Sequence, residues 1–172
     1  MGQAGGGKVG LALTALVALA LACTVERADV RTPSGRSPEA DTTVVRQAIA
    51  AVASAFATGD LAELDSIYHE NVTIYEGGNV WQGWRSYRDG LLKPEIESLA
   101  DRRLQFEDIR VRLAGTTAWS TCRFTLTATY SGTPIRSDGF ATLVFRKLGD
   151  GWRIVHSHTS ARAGSQAAAP PE

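Results

Sequence analysis

Few residues in this chain could carry chemistry. It has three histidines, and two of them, His156 and His158, stand two apart in a segment of strand-like alternation. Alternation places both rings on one strand face, with Val155, Ser157 and Thr159 on the other. Imidazoles titrate near neutral pH and move protons, so the pair reads as pocket acid, base or hydrogen-bond donor. It also reads as a structural pair satisfied by neighbouring strands or a dimer contact. A His-x-His pair can chelate as well, but zinc needs at least one further ligand. His69, Glu76 and Asp138 are the residues that could supply it, and no spacing selects among them. The expectation is therefore no metal and no cofactor. No serine sits in a nucleophile elbow. Cys122 lies in a strand-like segment and reads as a buried thiol acting as a small hydrophobe. Arg123 and Arg136 read as anion contacts or as solvated side chains.

The rest of the composition narrows the class. The chain has 172 residues, which suggests one domain. Eighteen Lys+Arg balance eighteen Asp+Glu, which argues against a nucleic-acid partner, normally met by a basic excess. Residues 1–22 read as a signal peptide. Lys8 precedes an uncharged run from Val9 to Ala22, shorter than the roughly 20 residues a spanning helix needs. The run ends Ala20-Leu21-Ala22-Cys23, which resembles the lipobox of bacterial lipoproteins. That resemblance implies cleavage before Cys23, lipidation of its thiol, and a membrane-anchored protein on the extracytoplasmic side. The alternative is a plain secretory signal. Residues 23–41, with Pro33, Ser34, Gly35, Ser37 and Pro38, read as a flexible tether. Residues 163–172 read as a disordered tail, which leaves 42–162 as the folded unit.

Periodicity then supplies the elements. Val45, Ile49, Val52 and Phe56 recur at helical steps and predict a helix over 42–57. Gly59 suits its C-terminus. Asp60 with Glu63 has capping-box spacing for a second helix, whose apolar face is Leu61, Leu64, Ile67 and Tyr68. Val72 to Tyr75 predicts a strand and Val80-Trp81 a short one. Trp84, Tyr87, Leu91, Ile96 and Leu99 suggest a third helix, bent or split at Pro94. From residue 103 the period changes to two. A parity switch near Glu107-Asp108 suggests a β-bulge, and turns at 115–116, 131–134 and 149–151 separate four strands. Helices followed by antiparallel hairpins predict an α+β domain.

Several ordered motifs carry a further resemblance: Ala57-Thr58-Gly59-Asp60-Leu61, Trp81-Gln82-Gly83, and Gly151-Trp152-Arg153-Ile154-Val155-His156-Ser157-His158-Thr159-Ser160. In them the chain resembles the SnoaL-like branch of the nuclear transport factor 2-like superfamily. The last stretch also resembles the association domain of calcium/calmodulin-dependent protein kinase II. The resemblance implies a cone-shaped, curved antiparallel sheet wrapped around N-terminal helices, a pocket for a small organic molecule, and a homodimer formed largely through the sheets. It does not choose a function, because the fold hosts isomerases, dehydratases, binding subunits and assembly hubs.

Position by position, the resemblance implies the following. The base of the resembling steroid isomerases aligns with Glu76, which reads either as a base or polar contact in the pocket or as a solvated residue beside the Gly77-Gly78 turn. The isomerase oxyanion donors fall at Val52 and approximately Ala141, so that chemistry lacks its donors here. The pocket arginines of the association domain fall at Thr159, Leu143 and near Phe124, beside Arg123. Tyr68, Tyr75, Trp81 and Trp84 gather around the expected pocket mouth, as ligand contacts or as packing. Three functions follow as expectations: a small-molecule-binding domain, a non-catalytic dimeric assembly or accessory module, or a lyase, isomerase or hydrolase using Glu76 with His156 or His158.

Overall fold

The computed structural model describes residues 37–149 and 151–161. The signal peptide, Cys23 and the 163–172 tail lie outside the described residues. Helix α1 spans Pro38–Thr58 and α2 spans Leu61–Ile67. The first helix begins four residues before the expected 42. Ser37 caps it by accepting from the Ala40 N–H, Pro38 takes the first helical turn, and Glu39 and Asp41 sit at its positive end. Residues 38–41, assigned to the tether from composition, are therefore helical. Gly59 closes α1 in the left-handed conformation at φ 79°, and Asp60 caps α2 by accepting from the Glu63 N–H.

Strands β1 (Tyr68–Glu76) and β2 (Asn79–Gln82) form a hairpin. The third helix comes in three pieces: α3 (Trp84–Tyr87), a π-turn over Arg88–Leu92, and α4 (Lys93–Ser98). Pro94 has no N–H to donate to the Gly90 carbonyl. The ladder widens just before it, and the Lys93 N–H reaches back five residues to the Arg88 carbonyl.

Four long strands follow, β3 (Leu99–Ala114), β4 (Thr117–Tyr130), β5 (Thr133–Leu148) and β6 (Gly151–Ala161). The sheet order is β2-β1-β6-β5-β4-β3. All neighbours are antiparallel except β1 and β6, which run parallel. The expected all-antiparallel sheet is therefore corrected to a mixed one. Residues 83–98 carry the chain to the far edge, and the meander returns to seat its last strand beside its first.

The bulge expected near 108 is present. Asp108 has φ 51°, at a register shift between Glu107 and Arg110. A second, unanticipated shift surrounds Asp101 at φ 50°. Aspartate tolerates the left-handed region, and two such residues bend β3 over the helices. The core lies between α1 and the concave sheet face, where Val45, Ile49, Phe145 and Ile154 are fully buried. At the rim of α1, the Arg102 guanidinium donates to the Phe56, Ala57, Ile96 and Leu99 carbonyls. It ties the negative end of α1 to the end of α4.

Candidate functional site

A cavity of ≈ 90 Å³ lies between the helices and the concave face. Val52 and Phe56 of α1 and Leu64 of α2 form one wall. Leu104, Phe106, Leu126 and Leu143 of the sheet form the other. Four ionisable side chains enter this mostly apolar space, Tyr68, Glu76, Tyr87 and Glu95, with the hydroxyls of Ser157 and Thr159 beside them.

Each is placed by its element. Glu76 is the last residue of β1, so strand alternation from buried Val72 and Ile74 brings it to the concave side. Tyr87 ends α3 and donates its hydroxyl to Glu76 Oε2 at 2.6 Å. Tyr68 stands where α2 passes into β1, its ring stacked on Trp84 at 4.4 Å and 5°. Trp84 is fixed in turn by donating its indole N–H to Asp65 Oδ1 at 2.6 Å. The edge of Trp81 meets Tyr87 at 6.2 Å. The same indole covers Gly90, where a Cβ would come within 2.7 Å of the ring. Trp81 and Trp84 thus brace the two tyrosines from behind.

Electrostatics follow from enclosure. Burial pushes the Glu76 carboxyl above its usual range, partly offset by the Tyr87 hydrogen bond. Burial pushes Glu95 up to about 8, and the charge of Glu76 adds to the shift. Burial, with Glu76 beside them, also raises both tyrosines. The cluster therefore holds two carboxyls that take up protons far more readily than exposed ones, one of them near neutral pH.

The sequence-based candidates divide between the two sheet faces. Glu76 and Tyr68 line the cavity. So do Val52, Ala141, Leu143, Phe124 and Thr159, the positions that the family alignments singled out. His156 and His158 do not. A bulge displaces Val155 from the ladder, His156 pairs with Val144, and Ser157 and Thr159 point into the cavity instead. Both histidine rings pack against the ring of Tyr75 on the convex face, at 5.5 and 6.0 Å. Neither histidine lines the cavity that holds Glu76, so the reading of the pair as pocket acid or base is not met there. Arg123 also lies on the convex face, 3.6 Å from Glu107 and 3.5 Å from Asp108 across the bulge.

Asp138 accepts from Thr125 and Arg136 at 2.7 Å, and His69 Nε2 lies 3.3 Å from Arg146. Among the described residues no three His, Cys, Asp or Glu side chains gather to hold a metal. Cys122 is a buried free thiol, its pKa raised by burial to about 11.

Glu95 is not among the residues that the sequence pattern singles out. Continuing the Trp84, Tyr87, Leu91 spacing by one turn reaches it, but the apolar pattern resumes after Pro94 at Ile96 and Leu99 and passes Glu95 by.

Comparison with known proteins agrees with this geometry. An NTF2-like superfamily protein from Salmonella enterica superposes with a TM-score of 0.67 at 19% identity, covering 75% of this chain and 98% of that one. A candidate dehydratase of the NTF2-like family from Streptomyces avermitilis gives 0.68 at 22%, covering 73% and 99%. The CaMKII hub of S. rosetta gives 0.60 at 22%, covering 76% and 99%. No curated protein matches the sequence. The model of the SnoaL-like domain matches residues 45–164, and the chain belongs to that family.

Proposed function

We propose that the protein binds a small organic molecule in the cavity between α1 and the sheet, with Glu76 and Glu95 as its polar anchors. The observation that carries this is the Glu76–Tyr87 hydrogen bond at 2.6 Å inside a cavity with mostly apolar walls. Apolar walls with a few convergent polar groups are the usual makeup of a ligand site. Ligand-observed NMR with four- to six-carbon monofunctional compounds, a size of about that order for such a site, tests it. Ala141→Leu adds bulk to the cavity wall and should abolish the response while leaving the fold intact. An equal response from both proteins would place binding elsewhere.

A second reading is proton-transfer catalysis, as a lyase, isomerase or hydrolase. What favours it is the pair of carboxyls in one cavity, because a group with a pKa of about 8 exchanges protons efficiently near neutral pH. In this reading Glu76 is the base, and Glu95, rather than His156 or His158, is its partner.

The site would work outside the cytoplasm. Cleavage before Cys23 and lipidation of its thiol would leave a short tether between the membrane and α1. Mass spectrometry of the processed protein should find an acylated Cys23 at its N-terminus, and Cys23→Ala should release it from the membrane fraction. A soluble mature chain with unmodified Cys23 would reject the anchor.

A further inference from the structure

We infer that the occupant of this cavity is a small organic cation, an amine whose ammonium group sits between Glu76 and Glu95 and whose hydrocarbon part lies against Ile74, Leu126 and Leu143. This rests on the small-ligand reading above and names the chemistry of the ligand.

The cavity is polarised in one sense. Its ionisable lining groups are two carboxyls and two phenols, joined by the Ser157 and Thr159 hydroxyls. No lysine, arginine or histidine lines it among the described residues. The acceptors are mostly unused. Glu76 receives one hydrogen bond, from Tyr87 to Oε2. The Glu95 carboxyl has neither a hydrogen-bond nor an ion-pair partner among the described residues, although burial and the charge of Glu76 both bear on it. The Tyr68 hydroxyl is equally unengaged there, although its ring is fixed by the Trp84 stack.

Two carboxylates in a shared low-dielectric space disfavour each other's charge. Either a proton or a bound cation relieves this. A protonated amine supplies the positive charge and up to three N–H donors, matching Glu76 Oε1, a Glu95 oxygen and the Tyr68 oxygen. An anionic ligand would add a third negative charge. A neutral alcohol would make hydrogen bonds and leave the repulsion in place. A metal ion lacks its ligands here, since among the described residues no group of three suitable side chains converges, and the Leu and Ile walls offer it nothing. Size limits the body of the ligand. An apolar cavity of about 150 Å³ takes benzene, so ≈ 90 Å³ suits a short branched alkyl chain.

Isothermal titration calorimetry on the full chain in mild detergent, at a pH above the titration of Glu95, tests this with three near-isosteric probes: isobutylamine, isobutanol and isobutyrate. Isobutylamine should bind about tenfold or more tighter than isobutanol, a margin of about 1.4 kcal/mol, and isobutyrate should give no signal. Glu95→Gln should lower isobutylamine affinity to about that of isobutanol while both probes still give a binding signal, an outcome that a merely misfolded variant would not give. Isobutanol or isobutyrate binding as tightly as the amine would overturn the cation while leaving a small-ligand pocket. Failure of all three would overturn both.

Discussion

The Lys147 ammonium lies 2.6 and 2.8 Å from the two carboxylate oxygens of Asp41, 106 residues earlier, with both side chains almost fully buried. The Trp152 indole N–H adds a third contact to Asp41 at 3.2 Å, and its ring lies under the ammonium. This knot joins the first turn of α1 to the β5–β6 hairpin and fixes the angle at which α1 roofs the cavity. Removing one partner strands a buried charge, which costs about 3–5 kcal/mol, whereas replacing both with apolar residues costs far less. Urea unfolding should therefore rank Asp41→Leu and Lys147→Met each well below the double variant. Additive losses would show that the pair is not coupled.

Gly139 is required by close approach rather than by its backbone angle. A Cβ there would lie 2.1 Å from the Ser160 carbonyl oxygen and 2.8 Å from the Phe124 ring. Phe124 lines the cavity, so relief of the clash would move a wall residue. Gly139→Ala should lose about 1–3 kcal/mol on thermal unfolding, the usual cost of overpacking, and should weaken ligand binding too. A variant of unchanged stability would mean that the β5–β6 edge yields freely.

The convex face carries Phe140 at 55% exposure, Trp119 at 37% and Tyr75 at 41%. Trp119 pairs with Val144 on the neighbouring strand, which adds to the apolar area. Large apolar groups on an open sheet face mark a contact surface, and a two-fold dimer would cover the same patch on both copies. Sedimentation equilibrium should give twice the monomer mass at micromolar concentration, and Phe140→Asp should shift it toward monomer. A monomeric parent protein would count against this.

Much of this was legible in the sequence. Helix spacing gave the buried face of α1, a parity switch gave the bulge at Asp108, and the glycine-containing turns at 115–116, 131–134 and 149–151 gave the hairpins. Glu76, Val52, Ala141, Leu143 and Thr159 reach the cavity as the family alignment implies. The histidines show where local pattern runs out. Alternation places His156 and His158 together, but which side is concave depends on the pairing of β6 with β1 and β5. The β1–β6 pairing joins residues about eighty positions apart, as Thr73 with His156, and the β5–β6 pairing includes a bulge at Val155 that no residue type announces. The π-turn was hidden for a related reason. Pro94 predicts a bent or split helix, but the sequence does not say that the ladder widens into a π-turn over Arg88–Leu92 and continues as α4.

The pH dependence of stability should report on Glu95. Its pKa rises from 4.5 in the unfolded chain to about 8 in the folded protein, so between those values the folded state holds more protons than the unfolded one. Stability linked to this group is then fully present below about pH 4.5, declines as the pH rises, and is lost above about 8. Glu76, also raised, contributes with the same sign. Glu95→Gln keeps the shape and removes the titration. It should therefore gain on the parent protein as the pH rises from 5 to 8, by about 1–3 kcal/mol after allowance for partial solvent access. Urea midpoints across that range measure the difference. A constant offset between the two proteins would mean that Glu95 is solvated like any surface carboxyl and that the cavity does not enclose it.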